Sequence, residues 1–110
     1  MNLDELIKIV REGWVFDEGN YPPMKSTSQK EKRVFAITHI LKHQAKALAK
    51  AMEALERFDH GLPLDEDKLR LSALNSLINS LRMTDILGIS PSRLVINLRE
   101  WGEGMRKGME

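Results

Sequence analysis

The sequence predicts an all-α domain, and three observations predict it. Segments between the Pro and Gly breaks are rich in Leu, Ala, Lys and Glu, which lose little freedom on entering a helix. Apolar residues within them recur at three and four, and no run of Val, Thr and Tyr alternates with polar residues as a strand would. Cap and stop residues stand at helical separations. The 110 residues make room for one domain, 1–110. A chain of that size buries roughly 60–70% of its unfolded surface, so its core is modest and support from a partner chain is expected. The expected architecture is an antiparallel hairpin of two long helices flanked by two shorter ones.

An N-terminal helix and loop occupy residues 1–28. The helix runs from about Leu3 to Arg11 with Leu3, Leu6, Ile7 and Val10 on one face, Gly13 ends it, and Trp14, Val15 and Phe16 follow as apolar anchors. Residues 17–27 hold Gly19, Asn20, Pro22 and Pro23 and read as loop. The hairpin spans 29–88. Ser28-Gln29-Lys30-Glu31 has the spacing of a capping box and opens the longest helix, which closes at Asp59-His60-Gly61. Its expected buried seam is Val34, Ile37, Leu41, Leu48, Met52 and Leu55, with Gln44 standing where an apolar residue is due. Asp65 caps the next helix, which runs to Leu87 and stops at Gly88. Leu69, Leu71, Leu74, Leu77, Ile78, Leu81, Met83, Ile86 and Leu87 clothe it on more than one side, as in a helix packed centrally or against another subunit. Ser90-Pro91 starts a C-terminal helix and tail, 90–110, carrying Leu94, Val95, Leu98 and Trp101 and then fraying at Gly102, Gly104 and Gly108.

Charge and composition exclude several classes. The 17 Lys plus Arg against 16 Asp plus Glu leave a net charge of +1, which argues against a general nucleic-acid binder. The absence of Cys removes disulfides, zinc-thiolate sites and thiol nucleophiles. No apolar run approaches the ~18–20 residues that span a bilayer. The acids at Asp4 and Glu5 do not suit a signal peptide, so a soluble cytoplasmic protein is expected.

Candidate chemistry gathers along the hairpin. His39 and His43 lie four apart on one side of the long helix, either as half-exposed residues or as two metal ligands lacking a third. Lys42, Lys46 and Lys50 form a like-charge ladder beside them, either a solvated face or an anion site. Glu53 and Arg57 have favourable pairing distance. Ser72, Asn75 and Asn79 make a neutral polar stripe on an otherwise apolar helix. Asn competes with its own backbone in a helix, so the stripe serves either a polar interface or a ligand. Counting back from Gly61 sets residue 43 opposite 79, so His43, Gln44, Asn75 and Asn79 are expected to meet across the helix pair. Carboxylates cluster at the N-terminus, the hairpin turn and the C-terminus, and only Asp85 sits in the later half of the second long helix. A Mg²⁺ site needs several converging oxygens, and the middle of the hairpin offers none.

The hairpin resembles the MazG-like, all-α nucleoside triphosphate pyrophosphohydrolases. The similarity is carried by Ala47-Leu48-Ala49-Lys50-Ala51-Met52, by the turn from Arg57 to Glu66, and by Leu77 through Ser90, including the Leu87-Gly88-Ile89 exit. It covers about residues 30–100. In that family a Glu-Glu-x-x-Glu motif and a later Glu-x-x-Asp hold Mg²⁺. Here the matching positions are His43, Gln44 and Ala47, then Ser72 and Asn75. Neutral side chains are poor ligands for a hard cation, and no acid lies between residues 32 and 52, so no shifted register restores the motif. The resemblance implies a four-helix-type bundle completed by oligomerisation, as a dimer or tetramer. The expected reading is a binding or regulatory module with no metal and no cofactor, catalytic residues absent, and an anionic or nucleotide-like ligand among His43, Gln44, Lys46, Ser72, Asn75 and Asn79. The alternatives are an active Mg²⁺-dependent pyrophosphohydrolase using Asp85 or Glu53 with Glu56, and a helical adaptor that docks a partner through Trp14-Val15-Phe16.

Overall fold

The structure, a computed structural model, describes residues 1–109. Four helices follow in order: α1 (Leu3–Gly13), α2 (Gln29–Asp59), α3 (Glu66–Ile86) and α4 (Pro91–Met109), with a short 3₁₀ turn at Pro22–Met24 before α2. Among the described residues there is no strand, and no helix is long and apolar enough to cross a membrane.

Local chemistry sets most boundaries. The Asn2 side chain accepts from the Glu5 amide, Ser28 from Glu31, Asp65 from Lys68 and Ser90 from Arg93, so each helix opens on a capped amide. Glu31 turns back as a capping box requires, but it meets the Ser28 hydroxyl at 3.1 Å. Gly61 (φ 87°) and Gly88 (φ 76°) take the left-handed conformation that closes α2 and α3. Beyond them the Leu62 and Ile89 amides reach back to the carbonyls of Arg57 and Thr84. The C-terminal helix departs from expectation. It runs on through Gly102, Gly104 and Gly108 to Met109, because a glycine weakens a helix by about 1 kcal/mol without itself ending it.

α2 and α3 pack side by side through small residues. The buried positions of α2 are Ala36, Ile40, Ala47 and Ala54, and those of α3 include Ser72 and Asn79. Short side chains on both helices let the axes approach closely. The expected seam is therefore corrected. Val34, Leu41, Leu48, Met52 and Leu55 are all exposed, Leu48 at 54% and Met52 at 69%. The buried row lies one residue earlier at three successive heptads, 40 for 41, 47 for 48 and 54 for 55, which turns the helix by ~100°.

α1 packs on α3 through buried Ile7, and α4 touches α1 without burying any residue. Leu98, Trp101 and Met105 stay exposed along α4. The radius of gyration is 17.4 Å. A compact chain of this length would have about 13 Å. The excess reflects an elongated shape, 50 × 38 × 25 Å, set by the 31-residue α2.

Candidate functional site

α2 and α3 diverge on one flank of their contact to leave a cavity of about 480 Å³. α2 contributes His43, Lys46, Ala47 and Lys50, α3 contributes Asn75, Ile78 and Asn79, and Trp14 closes it from the segment after α1. The i, i+3, i+4 and i+7 separations set the α2 group on one side of the helix. Of the sequence candidates, His43, Lys46, Asn75 and Asn79 come together here.

Gln44 and Ser72 do not join them. Gln44 accepts a hydrogen bond from Asn79 Nδ2 at 2.9 Å, forming a rung between the helices. On its far side lies a second, apolar cavity of about 250 Å³, lined by Ile40, Leu41, Gln44, Asn79 and Met83 among others. Ser72 is buried in the helix contact, 5% exposed, and lines neither cavity. Neighbouring positions such as His43 and Gln44 point ~100° apart on a helix, so His43 faces the basic cavity while Gln44 forms the rung. Lys46 and Lys50 of the expected lysine ladder line the cavity and Lys42 does not. The sequence reading missed Trp14 and Ile78 as wall residues; Ile78 follows Asn75 by three, a periodicity that would have included it, and no local signal brings Trp14 there.

Trp14 is held by several partners. Its indole Nε1 donates to the Tyr21 hydroxyl at 2.8 Å, and its carbonyl accepts from Arg82 Nε at 2.7 Å. The Arg82 guanidinium lies over the Phe16 ring at 5.3 Å, and Phe16 stacks on Tyr21 at 5.0 Å. Trp14 also meets His43 edge-on at 5.2 Å. Trp14 and Phe16 thus face inward as part of an aromatic wall, and only Val15 of that trio is exposed.

The acids are engaged elsewhere. Asp85 takes Arg11 at 2.6 and 2.8 Å and Arg82 at 3.0 Å, and the Arg11 hydrogen bond holds its carboxyl below the usual range. Burial draws the Arg82 guanidinium below its ordinary value, with Asp85 opposing. Glu53 pairs with Lys68 on α3 at 3.2 Å; the expected Glu53–Arg57 pair does not form. Neither Asp85 nor Glu53 lines the cavity, and neither Lys46 nor Lys50 has an ion-pair partner among the described residues.

The cavity wall has no carboxylate at all, and no group of three His, Cys, Asp or Glu converges anywhere among the described residues. Such a donor set does not fit Mg²⁺, which wants hard oxygens. It does fit an oxyanion: two ammonium groups supply charge, and the Asn75 amide and the His43 imidazole supply directional hydrogen bonds. His39 stands behind His43 with Nε2 to Nε2 at 3.1 Å. Burial, then His43, Lys42 and Lys46, hold the His39 imidazole below its ordinary value. Compared with known protein families, curated proteins and solved structures, the chain finds no match.

Proposed function

We propose that this chain is a MazG-like helical protein without metal-dependent nucleotide hydrolysis, a binding or regulatory module that holds an anionic, nucleotide-like ligand between α2 and α3. One observation carries the reading: Lys46 and Lys50 face a cavity with no acid to neutralise them. Lysine then contacts phosphate directly, the role that Mg²⁺ has in the enzymes the hairpin resembles. Asn75 and His43 orient the ligand and Trp14 forms its wall.

The protein acts as a homo-oligomer inside the cell. The support for assembly is the exposed row Val34, Leu41, Leu48 and Leu55. Leu41 of that row lines the apolar cavity, and no residue of the row lines the basic one.

Isothermal titration with nucleoside triphosphates, with and without Mg²⁺, tests the ligand. Binding at millimolar concentration or better is expected, unimproved by the metal. No heat at millimolar ligand leaves only a scaffold. Steady release of pyrophosphate, lost in Asp85→Asn, replaces the reading with an active hydrolase.

A further inference from the structure

Resting on the anion-binding reading, we infer that the basic cavity takes up an oxyanion together with one proton, which the His39–His43 pair accepts. The geometry starts from the two Nε2 atoms 3.1 Å apart. At that separation one imidazole donates its Nε2–H and the other accepts with a lone pair. The pair can gain one further proton, on the Nδ1 of the donor, with this bridge intact. A second would set N–H against N–H and break it.

His39 is the poorer site for that proton. It is wedged among rings, Tyr21 at 4.8 Å, Phe16 at 5.9 Å, Phe35 at 6.0 Å and Trp14 at 6.3 Å, where an imidazolium loses water. The added charge therefore settles on His43, the member of the pair that lines the cavity.

The surroundings decide when this happens. α2 presents Lys42, Lys46 and Lys50 to the pair's side of the helix. From α3 come the neutral amides Asn75 and Asn79, and Arg82 lies one ring away, across Phe16. The segment after α1 presents Trp14, Phe16 and Tyr21, of which only Tyr21 carries a titratable group. Asp85, beside Arg82, is held by two guanidinium groups, and no carboxylate pairs with either histidine among the described residues. The fixed charges acting on His39 from α2 are thus positive, and Glu12, at the end of α1, lies on the far side of Trp14 and Tyr21. An oxyanion seated on Lys46 and Lys50 reverses that sign, so anion and proton favour each other's binding by the same factor.

Sulfate is the suitable probe, because it stays dianionic throughout the range in which histidine titrates. Titrating the full chain with sulfate in buffers of different ionisation enthalpy counts the protons taken up. The expected result is a net uptake that peaks at about half a proton between the two pH values, with Kd about tenfold tighter near pH 5.5 than near pH 8. His43→Gln removes both effects, and His60→Gln, at the far end of α2, keeps them. Sulfate binding with one Kd at both pH values and no proton uptake overturns the inference and leaves the anion site standing. Proton uptake retained in His43→Gln overturns it as well. Absence of sulfate binding at every pH overturns the anion site too. The proton count on the unmodified chain decides the matter even where a variant folds poorly.

Discussion

Two flanks of the same helix make different demands. On one flank of α2, His43, Lys46 and Lys50 face the basic cavity. On the other, Val34, Leu41, Leu48 and Leu55 stand exposed at intervals of seven. Lys46 and Leu48 are two residues apart, ~200° around the helix. A like-charge ladder costs a few tenths of a kcal/mol per pair, and water screens it. Each half-exposed leucine forgoes about 1 kcal/mol of burial. Covering the leucine flank would therefore gain more than filling the lysine flank. On the proposed function, one side of α2 serves assembly and the other recognition.

Breaking the apolar flank gives the largest effect. Leu48→Glu combined with Leu41→Glu puts two charges on the row, and burying such charges costs several kcal/mol each. Sedimentation equilibrium is expected to find the parent chain as a dimer or larger and this variant as a monomer. Lys46→Glu, on the opposite flank, is expected to leave the assembly as it was while abolishing sulfate binding. A parent chain that is monomeric at all concentrations would refute the division of labour between the flanks.

Arg82→Ala comes next, because it attacks the device that sets the cavity wall. Arg82 is 7% exposed and ties Trp14, Phe16 and Asp85 together. Truncation leaves the Trp14 carbonyl without its donor and a void under Phe16. The expected loss is about 3–5 kcal/mol in chemical unfolding. Trp14 fluorescence should shift to the red as the wall loosens. A loss below ~1 kcal/mol would show that the aromatic cluster holds itself together without the guanidinium.

What was legible in the sequence follows the same divide. Ser28, Asp65, Ser90, Gly61 and Gly88 mark their helix ends correctly, because a cap is decided by a few adjacent atoms. The pairing across the hairpin was legible to within one residue: 43 opposite 79 was expected, and Gln44 meets Asn79. The buried seam of α2 was not. Periodicity reports that a stripe wants burial, not what will bury it, so the leucine row stood in for the alanine row that contacts α3. Gln44 looked like a flaw in the leucine row, yet it is the rung that separates two cavities. His43, Lys46, Asn75 and Asn79 could be grouped from helical spacing alone. Trp14 could not, because its place depends on the path of residues 14–28 and on Arg82, 68 positions along the chain.

The smallest expected effect lies outside both flanks and serves as their control. Arg11 reaches from α1 to Asp85 at 2.6 Å, and its hydrogen bond holds the Asp85 carboxyl below the usual range. The folded carboxyl gives up its proton more readily than the unfolded one. The pair is therefore fully stabilising above about pH 4 and loses its effect as pH falls through the lower, folded value. Arg11 is exposed, so solvent screens much of the attraction. Arg11→Gln is expected to lower Tm slightly near pH 7, by a difference that shrinks as pH falls through the folded value of Asp85. The sulfate Kd and its pH slope should not move, since this carboxylate faces neither the cavity nor the histidine pair. A change in that slope would mean that Asp85 reaches His43 through Arg82 and Trp14, and the recognition flank would then extend into the α1–α3 contact.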